Sequence, residues 1–387
     1  MENKKETFPF IRYLILGLII WNFPGFTLVY VNGVLSSLLS YTSYALILIY
    51  VLLNGKTGNC KEMLLFGALY FLISILVSQA YIKDLYSFYV SVIKYFIIVW
   101  GGYEVVKNTS LKELWFFLFI GSLSILGNIS LFPNPIADHG RYSGFYLDAN
   151  NGSLICLFGL ALSFSMVKSL GLFSKLNFTF MGLLTLSRTF MVIWVLYNLI
   201  SLKLDIKNIK LFVIGFLTLI LLVTFNDFLP VKNPRLEEIG ALINGDSVRK
   251  SSALDEDSRE ETWARYYDDL MEKPFFGNGY QSFLGYGVVN SQWGVHNTYL
   301  LIWGESGIIP LVIFLIFLFK LTRLSLKQFK SSPHFLFIIF SLSLFFMTNH
   351  NFMTNEYAFF VLMWVHSGLN ERPNEEEFPK SRFSLIA

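Results

Sequence analysis

Three places along the chain concentrate side chains able to do chemistry. One runs from Arg259 through His296-Asn297-Thr298-Tyr299 to Glu305. A second is Ser187-Arg188. The third, residues 134–151, holds Asp138, His139, Arg141, Asp148 and Asn150. A histidine ahead of a helix N-terminus is biased toward the neutral imidazole, because the positive end of the helix dipole disfavours another cation there. A neutral imidazole is what a general base needs at neutral pH. Arginine grips phosphate through two parallel N–H···O bonds and keeps its charge. Arg141, Arg188 and Arg259 beside His296 therefore suit a reaction in which a diphosphate departs while a base deprotonates a hydroxyl. No carboxylate-rich metal cage is legible in the sequence, so charge stabilisation falls to arginine and no metal ligand is assigned. The plainer readings are that each arginine pairs separately with Asp138, Asp148 or Glu260, that Arg188 only anchors a helix end by snorkelling, and that His296-Asn297 only caps a helix.

The elements that must position these groups are membrane helices. Charged residues make up 15% of the 387, against about 25% in soluble chains, and the deficit is spread over the whole length. Forty Phe suit lipid-facing surface, while 20 Tyr and 8 Trp suit the headgroup belts. A net charge of +3 gives no reason to invoke nucleic acid. Cys60 and Cys156 have neither metal-ligand spacing nor a disulfide framework. The start of the chain reads as a first transmembrane helix rather than a signal peptide.

Apolar runs of roughly 20 residues, the length needed to span, fall near 11–30, 34–53, 63–80, 88–106, 113–131, 151–167, 176–187, 189–202, 211–229, 297–320, 334–349 and 356–370. The expected fold is an all-α polytopic membrane protein of about 12 transmembrane helices, one integral domain over 1–387. A large external loop occupies 230–296 and a short cytoplasmic tail 371–387. The pair 176–187 and 189–202 is read as a hairpin turning at Ser187-Arg188-Thr189, because that keeps Lys168 and Lys175 on the same side as Lys203, Lys207 and Lys210, as the positive-inside rule prefers. An arginine at such a turn is costly unless it faces a polar cavity or a partner.

The apolar run 308–319 is short for a crossing, so the tenth helix is expected to recruit His296–Gly307, with Glu305 about 13 Å deeper than His296. In the loop, Ser258 to Glu261 has capping-box spacing. Trp263, Tyr266, Tyr267, Leu270 and Met271 then recur at helical spacing opposite Glu260, Glu261, Asp268, Asp269 and Glu272. This predicts an amphipathic helix lying aromatic side down on the membrane, with packing against another loop as the competing arrangement. Lys94 is a mid-membrane charge with no assigned place.

The stretch His296-Asn-Thr-Tyr-Leu-Leu-Ile-Trp-Gly-Glu-Ser-Gly-Ile-Ile309 resembles the signature of the O-antigen ligase and O-antigen polymerase (Wzy) superfamily. So do Arg259-Glu-Glu-Thr-Trp263 followed by Pro274-Phe-Phe-Gly-Asn-Gly279, the Ser-Arg turn in Leu186-Ser-Arg-Thr189, and Arg141-Tyr-Ser-Gly144 through Asp148-Ala-Asn150. The four elements stand in family order over residues 141–310.

The resemblance implies a GT-C-like bundle and a metal-independent glycosyltransferase without cofactor, at the outer face of the bacterial cytoplasmic membrane. It implies an undecaprenyl-diphosphate-linked oligosaccharide as substrate, with membrane lipid and a chain-length regulator protein as partners. Carried over by position, His296 is the base for the acceptor hydroxyl, and Arg188 and Arg259 hold the donor diphosphate, with Arg141 a further candidate. Glu305, Asn297, Tyr299, Trp263, Asp148 and Asn150 take supporting roles. Arg141 and Gly152 enclose ten residues, which resembles a pattern of some polymerases, although no second copy stands in the 230–296 loop. The favoured activity is therefore polymerisation of repeat units. The alternative is ligation of the glycan to lipid A-core or another surface acceptor. A lipid-linked oligosaccharide flippase is the reading of a different class, but no repeated halves of the kind many transporters show are visible.

Overall fold

A computed structural model describes residues 8–77, 85–133, 141–226, 233–234, 236–237, 239–240, 259–285 and 294–370. Helices account for the regular structure, and there is no strand among the described residues. In chain order they are α1 (Pro9–Ile20), α2 (Phe23–Tyr30), α3 (Gly33–Asn54), α4 (Lys61–Val77) and α5 (Leu85–Phe96), which runs through a π-helical stretch (Ile97–Gly102) into α6 (Tyr103–Lys107). There follow α7 (Leu111–Ser130), α8 (Ala149–Ser163), α9 (Lys168–Leu184), α10 (Arg188–Ser201) and α11 (Ile209–Asn226). After the large loop's short α12 (Arg259–Ala264) and α13 (Tyr267–Glu272) come α14 (Thr298–Ser306), α15 (Ile308–Lys327), α16 (Pro333–Phe345) and α17 (Glu356–Asn370).

Five of the described helices are long and apolar enough to cross a membrane. A sixth arises if α1 and α2, bent by 51°, are one span. This is short of about twelve full-length crossings. The reason lies at the helix ends. Helices α8, α10 and α16 have 15, 14 and 13 residues because segments carrying polar residues, at 141–148, 185–187 and 346–355, adjoin one end of each.

Hydrogen bonds sort the bundle into two ends. At one end the Arg12 guanidinium meets both Glu113 oxygens at 2.8 and 2.9 Å, Lys320 meets Glu62, and Ser165 Oγ lies 2.6 Å from His334 Nδ1. Lys175 Nζ also donates to Asn208 Oδ1 there, at 3.3 Å. That last contact joins the start of α9 to the segment after α10, so α9 and α10 are a hairpin and both basic clusters lie together. The turn Thr185-Leu186-Ser187, with Leu186 in the left-handed region at φ +49°, sits at the opposite end. The loop after α11 leaves from that same end as Arg188.

The tenth span differs from expectation. Gly307, at φ +81°, separates α14 from α15. Helix α15 reaches 20 residues without the polar prefix, because it continues past the apolar run to Lys327, with Lys320 neutralised by Glu62. A Cβ on Gly307 would lie 1.9 Å from the Phe275 carbonyl oxygen. Gly307→Ala is therefore expected to lose about 1–3 kcal/mol to backbone conformation alone, and more to the clash. Thermal unfolding in detergent, read against wild type, measures it; an unchanged midpoint would contradict the clash.

Candidate active site at the arginine and histidine end

Three of the helices that begin at this end are each capped by a short polar residue of the sequence motifs. Asp148 accepts from the Asn150 and Asn151 amides at the head of α8. Ser187 accepts from Phe190 N at the head of α10. Asn297 accepts from Tyr299 N and Leu300 N at the head of α14. Each cap satisfies amides that would otherwise be orphaned and turns the positive end of a helix dipole toward the same region.

Asn150 is the joint between two of the motifs. Its Oδ1 accepts from Arg141 Nη2 at 2.9 Å and from Ser187 Oγ at 2.8 Å. Arg188, exposed, is the first residue of α10. Arg141, Asn150, Arg188, Thr189, Trp263 and Thr348 line one cavity of about 350 Å³ with apolar residues of α10 and α16. Two guanidinium groups beside helix N-termini form a site suited to an anionic oxygen-rich group.

His296 stands against the segment that closes this cavity on one side. Thr298 N donates to Phe346 O at 2.7 Å and Thr298 Oγ1 to Asn349 O at 2.6 Å. Those bonds clamp the start of α14 to residues 346–349, of which Met347 and Thr348 line the cavity. Thr348 Oγ1 accepts from Thr189 at 3.4 Å and Asn349 Nδ2 donates to Asn151 Oδ1 at 3.4 Å. The His296 backbone is left-handed at φ +47°, which presents its ring edge-on to His350, with centroids 4.5 Å apart. The reading from sequence missed His350. Its only signal was the polar run Thr348-Asn-His-Asn351 between two apolar helices.

Residues 173–315, from α9 into α15, match the family model described as O-Antigen ligase (Wzy_C). This match supports the resemblance to the O-antigen ligase and polymerase superfamily that the motifs carry. Comparison with curated proteins finds no match. The matched O-antigen ligase segment contains Arg188, Arg259, Trp263, His296 and Glu305, whereas Arg141 and Asn150 precede it and meet it only in space. The chain is accordingly a membrane protein of a glycan-processing, ligase or polymerase class.

Within the O-antigen ligase segment the remaining motif residues separate into distinct jobs. Glu305 is buried at the far end of α14 and accepts from the Tyr70 hydroxyl of α4, so it braces the bundle rather than facing the arginines. Tyr299 donates to Ser343 O at 3.0 Å and ties α14 to α16. The Pro274 to Gly279 motif grips the end of α14. Pro274 O accepts from Ile308 N and Trp303 Nε1, and Gly304 O and Glu305 O accept from Asn278 N and Gly279 N.

The loop helix departs from expectation. It breaks into α12 and α13. Trp263, Tyr266 and Leu270 pack with Phe283, Val295 and Leu301, while Tyr267 and Met271 are exposed. The buried stripe is thus narrower than the sequence suggested, and it packs on loop residues Phe283 and Val295 and on Leu301 of α14. The Arg259 side chain, Ser258, Asp138 and His139 lie outside the described residues. On α13, burial first and then Glu272 and Asp268 push the Asp269 carboxyl up.

Proposed function

We propose that the chain is an oligosaccharide repeat-unit polymerase. The observation that carries this is the meeting of Arg141, Asn150 and Arg188 around one cavity whose wall segment also holds the His296–His350 pair. The donor's undecaprenyl diphosphate is held by Arg188 and Arg259, with Arg141 fixed by Asn150 as a third cation. His296 takes the proton of the acceptor hydroxyl. The freed oxygen bonds to the donor's anomeric carbon as the bond from that carbon to the diphosphate oxygen breaks. Undecaprenyl diphosphate leaves with the negative charge the arginines neutralise. In this reading the shorter helices α4, α8, α9, α10, α16 and α17 also cross the bilayer, and the arginine end faces outward.

Reconstitution with purified lipid-linked repeat units, alone or with a lipid A-type acceptor, tests the activity. Products growing by repeats are expected. One-step transfer to the second acceptor would make the chain a ligase, and transbilayer movement without new bonds a flippase. Sidedness has its own test. Cys60 and Cys156 are buried and Met271 is 66% exposed, so Met271→Cys is expected to react with a membrane-impermeant maleimide in intact cells. Labelling only after lysis would invert the topology.

A further inference from the structure

Lys94 belongs to the span Leu85–Lys107 and plays no part in the chemistry described above. It lines a second, polar cavity of about 270 Å³ together with Asn22, Ser36, Ser37, Ser40, Tyr41 and Glu356. A lysine within a membrane span is costly and marks a binding or transport path by default. Three residues beyond it the helix winds into the π-helical stretch Ile97–Gly102, a distortion frequent at functional sites.

The two charges facing this cavity are not paired with each other. Lys94 Nζ donates to Ser40 Oγ at 3.1 Å and sits 5.2 Å from the centroid of the Tyr44 ring. Glu356 accepts from the Tyr44 hydroxyl. A cation and an anion lining one cavity gain by closing on each other unless something fits between them.

The second cavity shares no lining residue with the arginine cavity, yet both border the same two segments. Asn22 Nδ2 donates to Phe145 O at 3.2 Å, and Tyr357 stacks edge-on to Tyr146 at 5.3 Å. Thr354 and Glu356 follow His350 by four and six residues. Along the chain, His350 therefore stands between Thr348, which lines the anion site, and Thr354 and Glu356, which line this hydroxyl-rich site.

We propose that this second cavity binds a sugar ring of the acceptor glycan. Glu356 repels a phosphate and Lys94 repels a metal ion. The serine hydroxyls and Asn22 offer both donors and acceptors, and Tyr41, 52% exposed, gives an aromatic face for the C–H side of a sugar ring. The volume falls just below the roughly 300–1,000 Å³ of small-molecule sites, which suits one ring rather than a whole repeat. That the sugar belongs to the acceptor rests on the polymerase reading. A nucleophile approaching opposite the departing diphosphate must be held on the side away from the arginines.

The test uses the purified full-length chain in nanodiscs, with two measurements. Calorimetry follows binding of the free oligosaccharide released by mild acid from the host's own lipid-linked repeat units, and of inorganic pyrophosphate. Turnover assays give KM for acceptor and donor separately. Glu356→Gln and Lys94→Met are expected to weaken oligosaccharide binding at least about tenfold and to raise acceptor KM alike, with donor KM unchanged. Ser37→Trp fills the cavity from its exposed rim without altering the half-buried Lys94 and Glu356, and it is expected to act the same way in a protein of wild-type thermal stability. Unchanged oligosaccharide affinity in all three variants overturns the site. So does pyrophosphate binding that Lys94→Met abolishes. Binding that depends on Lys94 and Glu356 in a protein without transferase activity keeps the sugar site and removes the polymerase reading instead.

Discussion

His296→Ala is expected to give a folded, inserted protein whose transfer rate falls by about 10²–10⁴-fold, the usual worth of a general base, and which accumulates single lipid-linked repeat units. The variant does not threaten the fold through packing, because His296 is only half-buried and the Asn297 cap and Thr298 bond that fasten this turn to the bundle are unchanged. Its backbone is left-handed, a conformation alanine adopts reluctantly and asparagine more readily. His296→Asn is therefore the control that keeps the turn and loses the base. Both variants should fail alike in chain-length ladders. Normal ladders from either would remove His296 as the base. His350 stands edge-on beside it, so His350→Ala belongs in the same experiment. A small effect there leaves the proton with His296, while full loss from His350→Ala beside an active His296→Ala would exchange the two roles.

Arg188→Lys is expected to keep the positive charge and still lose roughly 10²–10³-fold in turnover, the scale of removing one fixed donor from a developing anion. Lysine is a point charge on a flexible stem and cannot reproduce the planar fork that binds two phosphate oxygens together. Arg188 is exposed at the first position of α10, and the turn beneath it is held by Ser187, which caps α10 and bonds Asn150. The substitution should therefore shift stability by no more than about 0.5 kcal/mol, so that lost turnover reports on the anion. Wild-type turnover from Arg188→Lys would reduce Arg188 to a membrane anchor.

Much of the fold was legible because it rests on short-range rules. The apolar runs gave the helices, and the basic clusters around 168–175 and 203–210 called for a hairpin, which the Lys175–Asn208 bond realises. A polar residue just before an apolar run, as at Ser187 and Asn297, marks a cap within three residues of the amides it serves. The motif spacings also carried the superfamily, since residues 173–315 match its family model.

Other features were settled only by segments meeting across the bundle. Glu305 was expected about 13 Å deeper than His296 along one continuous helix, in a supporting role, but the left-handed Gly307 and the carbonyl of Phe275 behind it end α14 there, and Tyr70, 235 residues away, takes the carboxylate. Asn150 became the joint of the arginine site through Ser187, 37 residues on. His350 reached His296, and Lys94 reached the cavity it shares with Glu356, by contacts no local spacing encodes. What the sequence determined by itself was an apolar helical chain, resembling the O-antigen ligase and polymerase superfamily, whose reactive groups stand at helix starts, because hydropathy, caps and charge bias act within a few residues. Which of those groups share a cavity was decided by tertiary packing alone, because side chains far apart in the chain meet only once the helices have chosen their neighbours.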